Sequence, residues 1–273
     1  MADRKTVLID IFEDTKKFIC ENSVLSVAEE NSISNTKIYS PKDYPDLKRV
    51  PRRQPSISIT KKRTFESALD MHDLNPEAKI CVLNFASPIN PGGGVAKGSS
   101  AQEECLCRCS TLYGVLNKRY VWKNYYEPNR ENNNPLNDDT VVYTPDIVIC
   151  KTDESEPKRL AQRSFVRVDV VSCAAPNLCK VADDEYSFLD LYSTHYGRAK
   201  HILHVMALNR ANNIVLGAFG CGAFKNDPNI VSQAWNDALA DYMGYFDVIE
   251  FAIYCNRWDT DNYDAFKRHI KVI

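Results

Sequence analysis

Where this chain places its glycines constrains its fold more than any other feature. It has 273 residues and only ten glycines, where average usage of about 7% would give roughly 19. Seven of the ten fall in two short segments: Gly92, Gly93, Gly94 and Gly98 in one, Gly217, Gly220 and Gly222 in the other. A chain so sparing with glycine demands unusual backbone geometry at those two places. Each segment also follows an apolar run. KICVLNFA leads into Asn90-Pro91-Gly92-Gly93-Gly94, and NNIVLGAF leads into GCGAFKN. In open α/β folds, ligands sit beyond the carboxyl ends of strands, and consecutive glycines let backbone N–H groups converge on an anion. Two such loops suit a diphosphate; the plain alternative is two tight turns needing positive φ. Neither loop carries a P-loop Lys-Ser/Thr pair, and no GxGxxG opens a helix, which disfavours nucleotide hydrolysis and a dinucleotide site.

Around the loops the hydrophobic pattern alternates between periods. Helical spacing marks Lys5–Asn22, Thr64–His72, Thr194–Asn209 and Pro228–Phe246, the last with Asp227 as N-cap and Pro228 at N1. A further helix begins near Ala101 and carries Cys105, Cys109, Leu112 and Leu116 on one stripe. Strand-like runs are expected at Ser23–Ala28, Thr36–Tyr39, Ser56–Thr60, Lys79–Ala86, Ile147–Cys150, Val166–Ala175, Asn213–Gly220 and Val248–Cys255. A Pro-containing connection spans Pro41–Pro55, and the Asn-rich Asn124–Asp139 reads as a polar surface loop. Strands buried on both faces alternating with helices predict an α/β sandwich. No linker divides the chain, so it reads as one domain, with residues 1–78 as an N-terminal helical extension and 79–273 as the core.

Composition narrows the function classes. The 34 Lys and Arg against 36 Asp and Glu leave a net charge of −2. That excludes a polyelectrolyte grip on nucleic acid and gives no reason for strong general nucleic-acid binding. Acidic residues interrupt the first apolar stretch and no run approaches a membrane span, so a cytoplasmic, reducing location without a signal peptide or membrane contact is expected. The ten cysteines then read as packed thiols. Cys105, Cys107 and Cys109 form CxCxC, and on a helix Cys107 points away from the other two, a poor zinc site. His201 and His204 form HxxH without a metalloprotease pattern and read as core or surface residues. No metal and no cofactor is expected.

Between the first glycine loop and its helix lies Ser99-Ser100-Ala101-Gln102-Glu103-Glu104. One reading is a capping box, with Ser100 as N-cap and Glu103 reaching back to it. The other is catalytic: a carboxyl beside an anion-binding loop can protonate a leaving group, and a neighbouring like charge raises its pKa. Spacing alone leaves both open.

These residues together resemble a known family. Asn84-Phe85-Ala86-Ser87, the NPGGG of Asn90–Gly94, a seven-residue gap and then Gln102-Glu103-Glu104 are similar to the bacterial-type poly(ADP-ribose) glycohydrolases, a macrodomain-related branch marked by GGG followed by QEE. GAFGCGAFKNDP (Gly217–Pro228) is similar to that family's second phosphate loop, and Tyr143–Asp146 and Ala174–Asn177 to its intermediate segments. The resemblance implies a macrodomain-like three-layer α/β/α sandwich with a mixed central sheet. It implies binding of ADP-ribose or poly(ADP-ribose) on modified macromolecules, and metal-free hydrolysis of the ribosyl O-glycosidic bond. Carried over by position, Glu104 matches the catalytic acid and Glu103 the neighbour that holds the ribose hydroxyls. Asn90 matches the asparagine near the distal ribose, Gly92, Gly93 and Gly94 line the distal ribose and diphosphate, and Gln102 is a further substrate-binding position. Gly220, Cys221, Gly222, Ala223 and Phe224 cradle the diphosphate, with the Phe224 ring against the distal ribose. Lys97 and Lys225 depart from the family's small or apolar residues. The Asn-rich insert and Trp258–Tyr263 bear on the rim. A hydrolase removing single ADP-ribose units from protein or nucleic acid, and a non-catalytic reader of ADP-ribose, are the alternatives.

Overall fold

A computed structural model describes residues 3–41, 45–48, 53–182 and 184–271. Residues 42–44 and 49–52 of the Pro-containing connection lie outside the described residues. Seven strands form one sheet in the order β1-β4-β5-β3-β6-β7-β2. They are β1 (Lys37–Tyr39), β2 (Ser56–Thr60), β3 (Ile80–Phe85), β4 (Val141–Ile149), β5 (Val166–Cys173), β6 (Asn213–Leu216) and β7 (Val248–Ala252). From β5 to β2 every pairing is parallel, while β4 runs antiparallel to both β5 and β1. The sheet is therefore mixed. The carboxyl ends of β5, β3, β6, β7 and β2 lie along one edge, and both glycine loops open there.

Ten α-helices flank the described sheet: α1 (Arg4–Glu21), α2 (Ser23–Asn35), α3 (Thr64–Leu74), α4 (Gln102–Cys109), α5 (Leu112–Leu116), α6 (Arg119–Val121), α7 (Glu127–Asn132), α8 (Phe188–Leu208), α9 (Pro228–Tyr242) and α10 (Asp261–His269). Strand alternation sorts side chains into two cores. Cys81 and Leu83 of β3 and Ile214 and Leu216 of β6 meet α8 and α9 through Ile202, Met206 and Trp235. Ile80 and Val82 of β3 and Val215 of β6 face Phe12, Phe65, Leu106 and Leu112 on the other side. The result is the three-layer sandwich expected from the pattern.

Several local expectations need correction. Ser23–Ala28 is not a strand but the start of α2: the Asn22 side chain accepts from Val24 and Leu25 N–H as its cap, and Leu25, Ala28 and Ser32 are buried at helical spacing. The single stripe from Cys105 to Leu116 is broken at Ser110, which bridges to Ile149 of β4 and separates α4 from α5. Asn124–Asp139 is not a surface loop throughout. A π-helical turn, Trp122–Tyr126, runs into α7 and buries Tyr125, Tyr126 and Asn129. Helix α8 begins at Phe188 rather than Thr194 because Ser187 and Asp190 form a reciprocal cap. Strands β6 and β7 end at Leu216 and Ala252, earlier than their apolar runs. Helix α10 carries no buried stripe beyond Ala265 and Phe266, which left it without a strong signal.

The first helix is tied into the body of the fold. Thr15 Oγ1 donates to the Arg108 carbonyl, and Lys151 Nζ to that of Ile11. Lys151 is 1% exposed and pairs with Asp14 at 2.8 Å. The Asp14 carboxyl also takes two bonds from Arg159, which hold its pKa down at about 2. Removing one partner strands a buried ammonium, although water at Asp14 screens part of the loss. Asp14→Ala is expected to cost about 1–3 kcal/mol, read as a lower midpoint in chemical denaturation with an unchanged slope.

Candidate functional site

The two glycine loops frame a cleft of about 750 Å³ at the carboxyl edge of the sheet. Loop one leaves β3 and folds back so that its backbone N–H groups face α4. Ser87 N–H donates to Glu103 Oε2 at 2.8 Å, and Gly94 N–H donates to Glu104 Oε1 at 2.8 Å. Asn84 Nδ2 reaches Glu103 Oε1 at 3.4 Å. Gly93, at φ +57°, lies between the carboxyls: a Cβ there would overlap Glu104 Oε1 and stand 3.0 Å from Glu103 Oε2. Positive φ and lack of room both require glycine at this position.

This geometry corrects the capping-box reading. Ala101, not Ser100, occupies the cap of α4, and no side chain caps it. Glu103 turns inward instead, because two donors wait at the end of β3. Both carboxyls are buried, at 3% and 7% exposure. Burial pushes the Glu103 carboxyl up to about 8, with the Glu104 charge adding to the rise and the Ser87 N–H opposing it. The second oxygen of Glu104, Oε2, is buried and has no hydrogen-bond partner at the cleft wall.

Gln102 is a bracket between strand and helix. Its Oε1 accepts from Phe85 N–H, while its Nε2 donates to the Leu83 carbonyl and to Thr64 Oγ1. Asn90 lines the cleft mouth and is held from outside, since Arg130 Nη2 donates to its Oδ1 and Arg130 Nε to the Ile89 carbonyl, both at 2.8 Å. The Arg130 guanidinium rests on the Trp122 ring, 4.6 Å from its centroid. The Asn-rich segment thus buttresses loop one, a role its polar composition did not signal.

Loop two is pinned by one side chain. Asn226 Nδ2 donates to the carbonyls of Pro176, Gly220 and Phe224. Its oxygen therefore accepts from His195 Nε2 at 2.8 Å. Burial drives His195 down to about 4, so the ring is neutral and Nε2 carries its proton. Asp227 caps α9 with Pro228 in its first turn, as the sequence predicted. Gly220 takes φ +78° against Ala175, whereas a Cβ on Gly222 would meet nothing.

Of the residues singled out from sequence, the structure brings Asn90, Gly93, Gly94, Gln102, Glu103, Glu104, Gly220, Gly222, Ala223 and Phe224 around one cleft. Within loop one, Gly92 faces Tyr113 and Cys107 rather than the cleft, and Cys221 packs toward the core. Lys97 lines the cleft. Sequence reasoning missed the wall made by residues after β2 and β7: Lys62, Arg63, Thr64 and Tyr254. Arg63 lies 4.1 Å over the Tyr254 ring. The basic run Lys61–Arg63 at a strand end was the available signal. His201 and His204 bond through Nε2 to the carbonyls of Tyr39 and Pro45, away from the cleft. Among the described residues, no group of three or more His, Cys, Asp or Glu is placed to hold a metal, and no helix is long and apolar enough to cross a membrane.

Comparison with known proteins agrees with this geometry. Residues 9–152 match the family model described as microbial-type PARG, catalytic domain. The poly(ADP-ribose) glycohydrolase of Thermomonospora curvata superposes with a TM-score of 0.85 at 25% identity, covering 98% of this chain and 99% of that one. The Deinococcus radiodurans poly(ADP-ribose) glycohydrolase in complex with ADP-ribose gives 0.76 at 30% identity, covering 88% and 96%. A single-residue variant of that enzyme, also with ADP-ribose, gives 0.79 at 31% over the same shares. No curated protein matches the chain.

The raised Glu103 carboxyl makes stability depend on pH with a definite sign. An unfolded glutamate ionises near 4.5, while the folded one holds its proton to about 8. Between those values the folded state binds more protons, so stability falls as pH rises, by up to about 1.4 kcal/mol per pH unit. Below 4.5 and above 8 this contribution is flat. Glu103→Gln is expected to remove that slope, seen as a smaller loss of stability than wild type between pH 5 and pH 8 in denaturant titrations.

Proposed function

This chain belongs to the microbial-type poly(ADP-ribose) glycohydrolase family, and we propose that it binds ADP-ribose in the cleft and hydrolyses the ribosyl O-glycosidic bond of poly(ADP-ribose). Glu104 is the general acid. The observation that carries this assignment is the state of its two oxygens: Oε1 is anchored by Gly94 N–H, while Oε2 is buried at the cleft wall without a partner. A buried carboxyl oxygen left unsatisfied is costly. A leaving ribose oxygen accepting a hydrogen bond from a proton on Oε2 would remove that cost.

Loop two, from Gly220 to Phe224, cradles the diphosphate with backbone N–H groups. Loop one, from Asn90 to Gly94, holds the distal ribose. The bound diphosphate adds negative charge near the glutamates, which favours a proton on the pair. Glu103, fixed by Ser87 and Asn84, orients the ribose hydroxyls from its place beside Glu104. As the glycosidic bond breaks, Glu104 donates its proton to the departing oxygen, and water captures the anomeric carbon and returns a proton to the Glu104 carboxylate. General acid catalysis of this kind contributes about 10²–10⁴-fold, and the rest comes from positioning. The macrodomain-like relationship of the fold, modified macromolecules as partners and a cytoplasmic setting belong to the same proposal.

The test uses poly(ADP-ribose) together with protein and DNA each bearing one ADP-ribose, with products read by mass spectrometry. Wild type is expected to release ADP-ribose from the polymer. Glu104→Gln is expected to lose at least about 10²-fold in turnover while keeping its calorimetric affinity for ADP-ribose. Release only from the singly modified acceptors would make the chain a mono-ADP-ribosyl hydrolase. Binding without release would make it a reader.

A further inference from the structure

Behind the cleft wall, α4 carries a charge that the reaction does not use. Arg108 is 1% exposed, yet among the described residues no carboxylate lies within ion-pair distance of it. Its Nη2 meets only the Cys105 sulfur, at 3.9 Å, and its Nη1 is buried without a hydrogen-bond partner. Asp153 pairs with Arg63 instead, whose Nη1 also donates to Cys105 Sγ at 3.6 Å. Cys105 does not supply the missing charge, since burial pushes its thiol up and keeps it neutral. A buried guanidinium without a counter-charge costs several kcal/mol.

Arg108 opens onto a chamber of about 20 Å³ lined by Arg4, Arg63, Cys105 and Glu154, with Ser100 and Ser155. That is room for one small bound species. Three of the residues that line it are arginines against one acid, and of these Arg4 and Glu154 are exposed. We propose that this chamber is a binding site for a monovalent, halide-sized anion, with Arg108 as its principal ligand.

The position gives the anion a purpose. Glu104 and Arg108 stand four residues apart on one helix, the spacing at which acid and base normally pair. They do not pair here: Glu104 turns into loop one, and Arg108 turns into the chamber. An anion held by Arg108 keeps the guanidinium there and away from the Glu104 carboxyl. Arg63, Ser100 and Cys105 line both the chamber and the cleft.

The experiment compares melting of the whole chain in sodium chloride and in sodium gluconate at equal ionic strength. Chloride is expected to raise the melting temperature saturably by about 2–4 °C over gluconate, and Arg108→Met is expected to abolish that difference. Crystals of the wild type soaked in bromide provide a second reading that needs no variant, with an anomalous peak expected beside Arg108 Nη1. Equal melting in the two salts, a chloride effect that survives Arg108→Met, or bromide-soaked crystals without a peak in the chamber would each overturn the proposal. None of these readings depends on hydrolysis, so they stand apart from the proposed activity.

Discussion

The site rests on two backbone N–H groups of one loop, each donating to a different buried carboxyl. Ser87 holds Glu103 and Gly94 holds Glu104, both at 2.8 Å, and Gly93 between them has no side chain because the carboxyls occupy that space. Loop and helix therefore define each other. The turn of loop one is shaped around the glutamates, and the glutamates are aimed by the turn. Neither could be built alone, since a buried carboxyl without donors is costly and the positive φ of Gly93 would be strain for any other residue.

The rest of the molecule keeps that contact rigid. Gln102 ties the start of α4 to β3 through the Phe85 and Leu83 backbones. Arg130 braces the mouth of loop one from α7, and Asn226 fixes loop two from within. The N-terminal helix closes the far side. Gly98 approaches the Lys5 backbone so nearly that a Cβ would stand 2.6 Å from its carbonyl oxygen, and Thr15 bonds the Arg108 carbonyl at the other end of α4. Residues 1–78 also supply β1 and β2, the two edge strands of the sheet. Positioning elements thus come from segments far apart in sequence, and each meets the site through backbone groups.

Much of this was legible in the sequence where one residue type answers to one physical demand. The buried strands were readable as apolar runs, and Asp227-Pro228 announced its helix through cap chemistry. The glycines of both loops marked the carboxyl edge, and GGG with QEE pointed to the glutamates. Other parts were illegible for equally physical reasons. The spacing of Ser100 and Glu103 satisfies a local cap, and only the tertiary donors at Ser87 and Asn84 draw Glu103 elsewhere. The Asn-rich segment looked solvated, but Tyr125 and Tyr126 carry enough apolar surface to bury it. Alternation in Ser23–Ala28 mimicked a strand until Asn22 supplied a cap for α2. The Arg63–Tyr254 wall joins residues nearly two hundred positions apart, which no local pattern encodes.

The central claim is that the closed wall of this cleft holds a proton on its glutamate pair at neutral pH. Carbon-13 NMR of protein labelled at the glutamate carboxyls, titrated from pH 4 to pH 10, addresses it most directly. The account predicts one carboxyl that stays protonated through pH 7 and titrates near 8, and that is assigned to Glu103 by its absence from Glu103→Gln. If the Glu103 carboxyl instead ionises in the ordinary carboxylate range, the pair stores no proton there and the account of the site fails.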